Sequence, residues 1–173
     1  MPSLAVTFDV VSKLVKRNVT IEKILSGGQT GVDRAALDVA LELKIPCGGW
    51  CPRGRRAEDG TIALQYPLQE TTNTDYSQRT KWNVRDADGT LILNLGKLTG
   101  GTALTKSVAL QQGKPCFVVE LNQPTQVAPV VDWLETHAIH VLNIAGPRAS
   151  TSATIYDEAV KFLRELFETG VRA

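Results

Sequence analysis

Short, nearly unbroken apolar runs alternate along the chain with longer stretches in which apolar residues return every three or four positions. Runs such as Thr90–Leu95 and Pro115–Glu120 suit strands buried on both faces of a parallel sheet. The pattern predicts strands at Ile21–Ser26, Lys44–Trp50, Tyr66–Glu70, Thr90–Leu95, Pro115–Glu120 and Ile139–Ile144. Between them, Val32, Ala35, Ala36, Val39 and Leu43 form a helical stripe. Val127, Val131, Leu134 and Ala138 form another, and Ile155, Ala159, Phe162, Leu163, Leu166 and Phe167 a third. Helices are also expected over Asp75–Asp86 and Ala103–Gln112. Phe8, Val11 and Val15, with Lys13, Lys16 and Arg17 on the wet side, predict a helical extension over residues 1–20 ahead of one domain, 21–173. Strands alternating with helices imply an α/β fold. Right-handed crossovers make it a single doubly wound, mainly parallel, Rossmann-like sheet with helices on both faces. In a 3-2-1-4-5-6 strand order, the first and fourth strands flank the crevice where ligands bind.

The size agrees with one domain: 173 residues, with 19 Lys+Arg against 18 Asp+Glu and a net charge of +1. A 43% apolar, 21% charged chain is not disordered by default. Near-neutrality argues against a nucleic-acid partner. No apolar run reaches the ~20 residues that span a bilayer, and the first residues lack a signal-peptide pattern, so a cytoplasmic location is expected. Three cysteines, Cys47, Cys51 and Cys116, favour free thiols, and no further ligands match the Cys47–Cys51 spacing for a structural zinc. His137 and His140 fall at a helix end and a strand start.

Candidate chemistry lies after the strands. Ser26-Gly27-Gly28-Gln29-Thr30-Gly31-Val32-Asp33 leads from the first strand into a helix, a natural anion cradle. It reads G-G-x-x-G, neither a dinucleotide fingerprint nor a P-loop. Cys51–Gly60 carries Arg53, Arg55 and Arg56, which either grip an anion or pair with Glu58 and Asp59. Tyr76, Thr80 and Asn83, with Arg79 beside them, share a helix face that either looks into a cleft or packs with Trp82. A second glycine-rich helix entry holds Gly100, Gly101 and Thr102. The last strand exits through Gly146, Pro147 and Arg148. Asn83, Asn94 and Asn143 are candidates to read the polar edge of a ligand. No nucleophile elbow or triad is apparent, and a general acid or base would have to be Asp33, Glu58, Asp59, Asp86 or Asp88.

Ser26–Asp33, Pro52–Gly60, Arg79–Thr90 and Leu98–Thr102 together resemble the molybdenum cofactor carrier proteins, from about Ile21 onward. That family is a Rossmann-like group related to the lysine-decarboxylase-like, Lonely Guy phosphoribohydrolases. The resemblance implies binding of molybdenum cofactor (molybdopterin, an anionic pterin) or molybdate at the strand carboxyl ends. It also implies a homo-oligomer, a dimer or tetramer, and molybdenum enzymes that receive the cofactor. Gly27, Gly28, Gln29, Thr30 and Gly31 would then hold the oxyanion, with Gly100, Gly101 and Thr102 approaching it from the neighbouring loop. The related hydrolases carry P-G-G-x-G-T-x-x-E, and here Thr105 stands where the glutamate is expected. That departure favours carriage over N-glycosidic hydrolysis. A nucleotide phosphoribohydrolase and a nucleotide-sensing module are the alternatives.

Overall fold

A computed structural model describes residues 19–124 and 127–171. The predicted helix around Phe8, Val11 and Val15 lies outside the described residues. The chain runs through β1 (Lys23–Leu25), α1 (Val32–Glu42), β2 (Cys47–Gly48), β3 (Trp50–Cys51), β4 (Arg56–Ala57) and β5 (Gly60–Thr61). It continues through β6 (Gln69–Glu70), α2 (Tyr76–Asp86), β7 (Gly89–Asn94), α3 (Gly100–Gln111), β8 (Cys116–Glu120), α4 (Ala128–Thr136), β9 (Val141–Ala145) and α5 (Ile155–Glu165). A π-helical turn, Leu166–Gly170, extends α5.

Five strands form one parallel sheet in the order β2-β1-β9-β7-β8. All six residues of β7 are buried, as a central strand covered on both sides requires. Leu91 and Leu93 of β7 join the large core with α1, α4 and α5. Val84 of α2 packs with Val108 and Ala109 of α3 in a separate cluster, so helices cover both faces as expected for a doubly wound fold. Among the described residues, no helix is long and apolar enough to cross a membrane.

The strand order differs from the expected one. The last strand, β9, lies between β1 and β7, where the 3-2-1-4-5-6 order would make those two neighbours. Leu142, Asn143 and Ile144 are buried, which suits a central strand, but an apolar run does not encode its place in the sheet. Counted from β9, the spatial order reads 3-2-1-4-5, the Rossmann order begun at the final strand. The reversal of strand order therefore falls between β9 and β7, and three loops, not two, open side by side.

Two further differences concern the edge. The strand expected at Lys44–Trp50 divides at Gly49 into β2, in the main sheet, and β3, which pairs with β6 outside it. Arg56–Ala57 and Gly60–Thr61, read as loop, form an antiparallel hairpin with Glu58 and Asp59 at its tip. The cysteines are free, and burial pushes all three thiols up, the behaviour of small packing groups.

Candidate functional site

At the carboxyl ends of β1, β9 and β7 a cavity of about 90 Å³ opens. Gln29 and Asp33 line it from the β1 side, Arg79 and Thr80 from α2. Thr99 to Thr102 and Thr105 contribute the entry of α3, while Ala145 to Arg148 and Thr151 contribute the exit of β9. The first turn of α3 lines the cavity; the amides of Thr102 and Ala103 donate back to the Thr99 carbonyl (3.1 and 3.2 Å), and those of Gly100 and Gly101 are the ones the helix cannot use internally. α1 is different: its first amide, at Val32, donates to the Pro147 carbonyl at 3.2 Å. The helix end open to a ligand is thus that of α3, while α1 is capped by the β9 loop.

The polar groups of the wall are held in fixed orientation. Asp33, only 3% exposed, accepts a hydrogen bond from Arg79 Nη1 at 2.6 Å and a longer one from the Gln29 amide at 3.4 Å. Gln29 Oε1 accepts from the amides of Thr30 at 3.0 Å and Glu58 at 2.9 Å. Because both partners are backbone donors, the side-chain amide can point only one way, with Nε2 as its free donor. Gly27 makes room for this arrangement. A Cβ there would lie 1.5 Å from Arg79 Nη1, so only glycine lets the guanidinium lie across the loop.

Among the described residues, three buried side-chain atoms lack a hydrogen-bond partner: Gln29 Nε2, Arg79 Nε and Asn94 Oδ1. The first two belong to residues of the cavity wall, and both are donors. Unpaired buried donors are costly, and these two leave donor capacity in the cavity wall that the described residues do not use.

The β4–β5 hairpin closes one side. Glu58 accepts from the Thr30 hydroxyl, the Ser150 amide (3.0 Å) and the Ser150 hydroxyl, and lies 4.0 Å from Arg148 Nη1. Asp59 holds Arg34, whose Nε and Nη2 donate to the Gly28 carbonyl. Burial alone would push the Glu58 carboxyl up, but the bonds from Ser150 and Thr30 outweigh it and hold it below its ordinary 4.5. A depressed carboxyl stabilises the fold above its ordinary value and loses that contribution as pH falls through the folded one. Glu58→Gln is therefore expected to lower Tm by roughly 2–4 °C at pH 7, about 1 kcal/mol. The gap from wild type should narrow below pH 4.5. Thermal unfolding of both proteins across pH 3–7 checks it, and a gap constant with pH would contradict the assignment.

The structure brings Gln29, Gly100, Gly101, Thr102, Gly146 and Arg148 together around the cavity. Gly27, Gly28, Thr30 and Gly31 frame it from behind, where their atoms meet Arg79, Arg34, Glu58 and Pro147. The basic loop is not one cluster. Arg55 donates to the carbonyls of Ile62, Leu68, Ala63 and Tyr66 and so pins its own loop. Arg53 is exposed, with its amide on Asn73, and Arg56 lies over the Tyr76 ring. The asparagines are also spent on structure. Asn83 clasps both the amide and the carbonyl of Trp50 (2.8 and 2.9 Å), Asn94 donates to Gly96 and Glu120, and Asn143 donates to Thr90. Arg79 is the wall residue that sequence reasoning placed only beside a helix face. Its one signal was that Tyr76, Thr80 and Asn83 make a poor core stripe.

The circularly permutated YpsA SLOG family matches residues 24–167. The crystal structure of a protein from Syntrophus aciditrophicus SB, named "Putative molybdenum carrier protein", is 48% identical and superposes with a TM-score of 0.80. The match covers 84% of this chain and 94% of that one. No curated protein matches the chain. A sheet whose Rossmann order begins at β9 suits a permuted family, and on the extent of the match the chain belongs to the circularly permutated YpsA SLOG family.

Proposed function

We propose that this protein is a carrier that holds a small anionic ligand, molybdenum cofactor or molybdate, with an oxyanion seated in the cavity between β9 and β7. The observation that carries this reading is the pair of unpartnered buried donors, Gln29 Nε2 and Arg79 Nε, beside the open end of α3. Their chemistry fits an acceptor-only group such as phosphate or molybdate. At about 90 Å³ the cavity is well below the ~300 Å³ at which pockets enclose a whole organic cofactor, so the anionic end enters and the body stays outside. The name of the 48% identical relative agrees with a molybdenum cargo.

Hydrolysis is the less favoured reading. Thr105 supplies a hydroxyl where a carboxylate would be needed, and that hydroxyl donates to the Gly101 carbonyl at 2.8 Å. Asp33 is committed to Arg79.

Calorimetric titration with phosphate and molybdate tests the cavity. Both are expected to bind and compete, and Gln29→Leu is expected to weaken each roughly ten-fold or more. Incubation with molybdenum cofactor, followed by gel filtration with molybdenum and oxidised-pterin assays, tests the cargo. If neither co-elutes above a control protein, the carrier assignment is wrong.

A further inference from the structure

The cavity mouth carries more positive charge than one oxyanion requires. The guanidinium carbons of Arg56, Arg79 and Arg148 lie 5.8, 5.7 and 5.8 Å from the centre of the Tyr76 ring. Tyr76 opens α2, and its half-buried ring gathers cations from the hairpin, the helix and the β9 loop. Their acidic partners are unequal. Arg79 is neutralised by Asp33 at 2.6 Å. Arg148 faces Glu58 only at 4.0 Å, and that carboxylate already accepts from Thr30 and Ser150. Arg56 is exposed and has no ion-pair partner among the described residues. Cations grouped around one ring add their attraction for an anion placed beside it.

We propose that the site takes a ligand with two anionic groups, one in the cavity and the second at its mouth between Arg56 and Arg148, beside Tyr76. This rests on the oxyanion reading of the cavity. Arg79 and Arg148 line the cavity itself, whereas Arg56 does not, so Arg56 is the residue that separates a two-anion ligand from a simple oxyanion. A guanidinium grips a phosphoryl oxygen pair through parallel hydrogen bonds, so the second group is most simply another phosphoryl or metal oxyanion a short linker away. A nucleoside diphosphate and an anionic pterin ester share that chemistry.

The experiment is calorimetric titration of the full chain with inorganic phosphate, pyrophosphate and ADP, for wild type, Arg56→Gln and Arg56→Lys. Wild type is expected to prefer pyrophosphate over phosphate by roughly ten-fold or more. Arg56→Gln should reduce that ratio toward one, and Arg56→Lys should restore part of it. Circular dichroism and thermal unfolding establish that both variants fold. ADP binding at least as tight as pyrophosphate assigns the ligand body to a nucleoside, and weaker binding assigns it to a different body on the same two anions. Phosphate that binds with no pyrophosphate preference, or a preference untouched in Arg56→Gln, overturns the two-anion proposal alone. Failure of phosphate itself to bind overturns the cavity reading beneath it.

Discussion

Arg79→Met is expected to lower stability by about 3 kcal/mol, a fall in Tm of roughly 6–12 °C, and to abolish binding of phosphate and molybdate. Both effects follow from one side chain. Nη1 neutralises Asp33, which is 3% exposed, and removing one partner of a buried pair leaves an uncompensated charge. Nε, unpartnered and buried, is the donor that the proposed oxyanion would engage. The two roles separate in the double variant Asp33→Asn/Arg79→Met, where no buried charge remains. Most of the lost stability should return, while binding should not. Thermal unfolding gives the first quantity and calorimetry the second. Recovery of both together would show that Arg79 acts on the ligand only through the fold.

Gly146→Ala should be comparably severe, costing about 3 kcal/mol, for a reason of space alone. A Cβ at Gly146 would lie 2.2 Å from the Leu93 carbonyl oxygen and 2.5 Å from Val32 Cγ2. The first is backbone of the neighbouring strand β7, which cannot move aside without parting the centre of the sheet. The expected Tm fall is again roughly 6–12 °C. Gly101→Ala makes the matched comparison, because nothing lies within 4 Å of its Cβ position. That variant should keep its Tm within a few degrees while its methyl narrows the cavity and weakens anion binding. Equal melting of the two alanine variants would contradict the close approach of β9 to β7.

The elements were legible wherever burial on both faces leaves an unbroken apolar run. Strands β7 and β8 fall almost on their expected spans for that reason, and the stripes of α1, α4 and α5 for the corresponding helical one. The order of the strands was not legible. β1, β7 and β9 each carry an apolar run, and nothing in such a run says which neighbour it will meet. The β4–β5 hairpin was hidden by two-residue strands, too short to show alternation. The glycine loops were readable as helix entries, and they lead into α1 and α3. The asparagines and Arg55 misled for a common reason. A polar side chain that ties one segment of the fold to another looks, in sequence, like one that awaits a ligand. Gln29 Nε2 and Arg79 Nε are told apart from Asn83, Asn143 and Arg55 by the partners they lack, and from the equally unpartnered Asn94 Oδ1 by being donors on residues of the cavity wall.

The central position of β9 also has a consequence for assembly. β1 pairs with β2 and β7 with β8, but β1 and β7 meet only through β9. As the chain leaves the ribosome, amino end first, every other strand of the sheet precedes the one that joins its two halves. Until residues 141–145 are inserted, β1 and β7 each present a bare edge, and the three loops of the cavity have no common frame. Insertion of β9 thus joins the two halves of the sheet and sets the loops of the cavity side by side in one step.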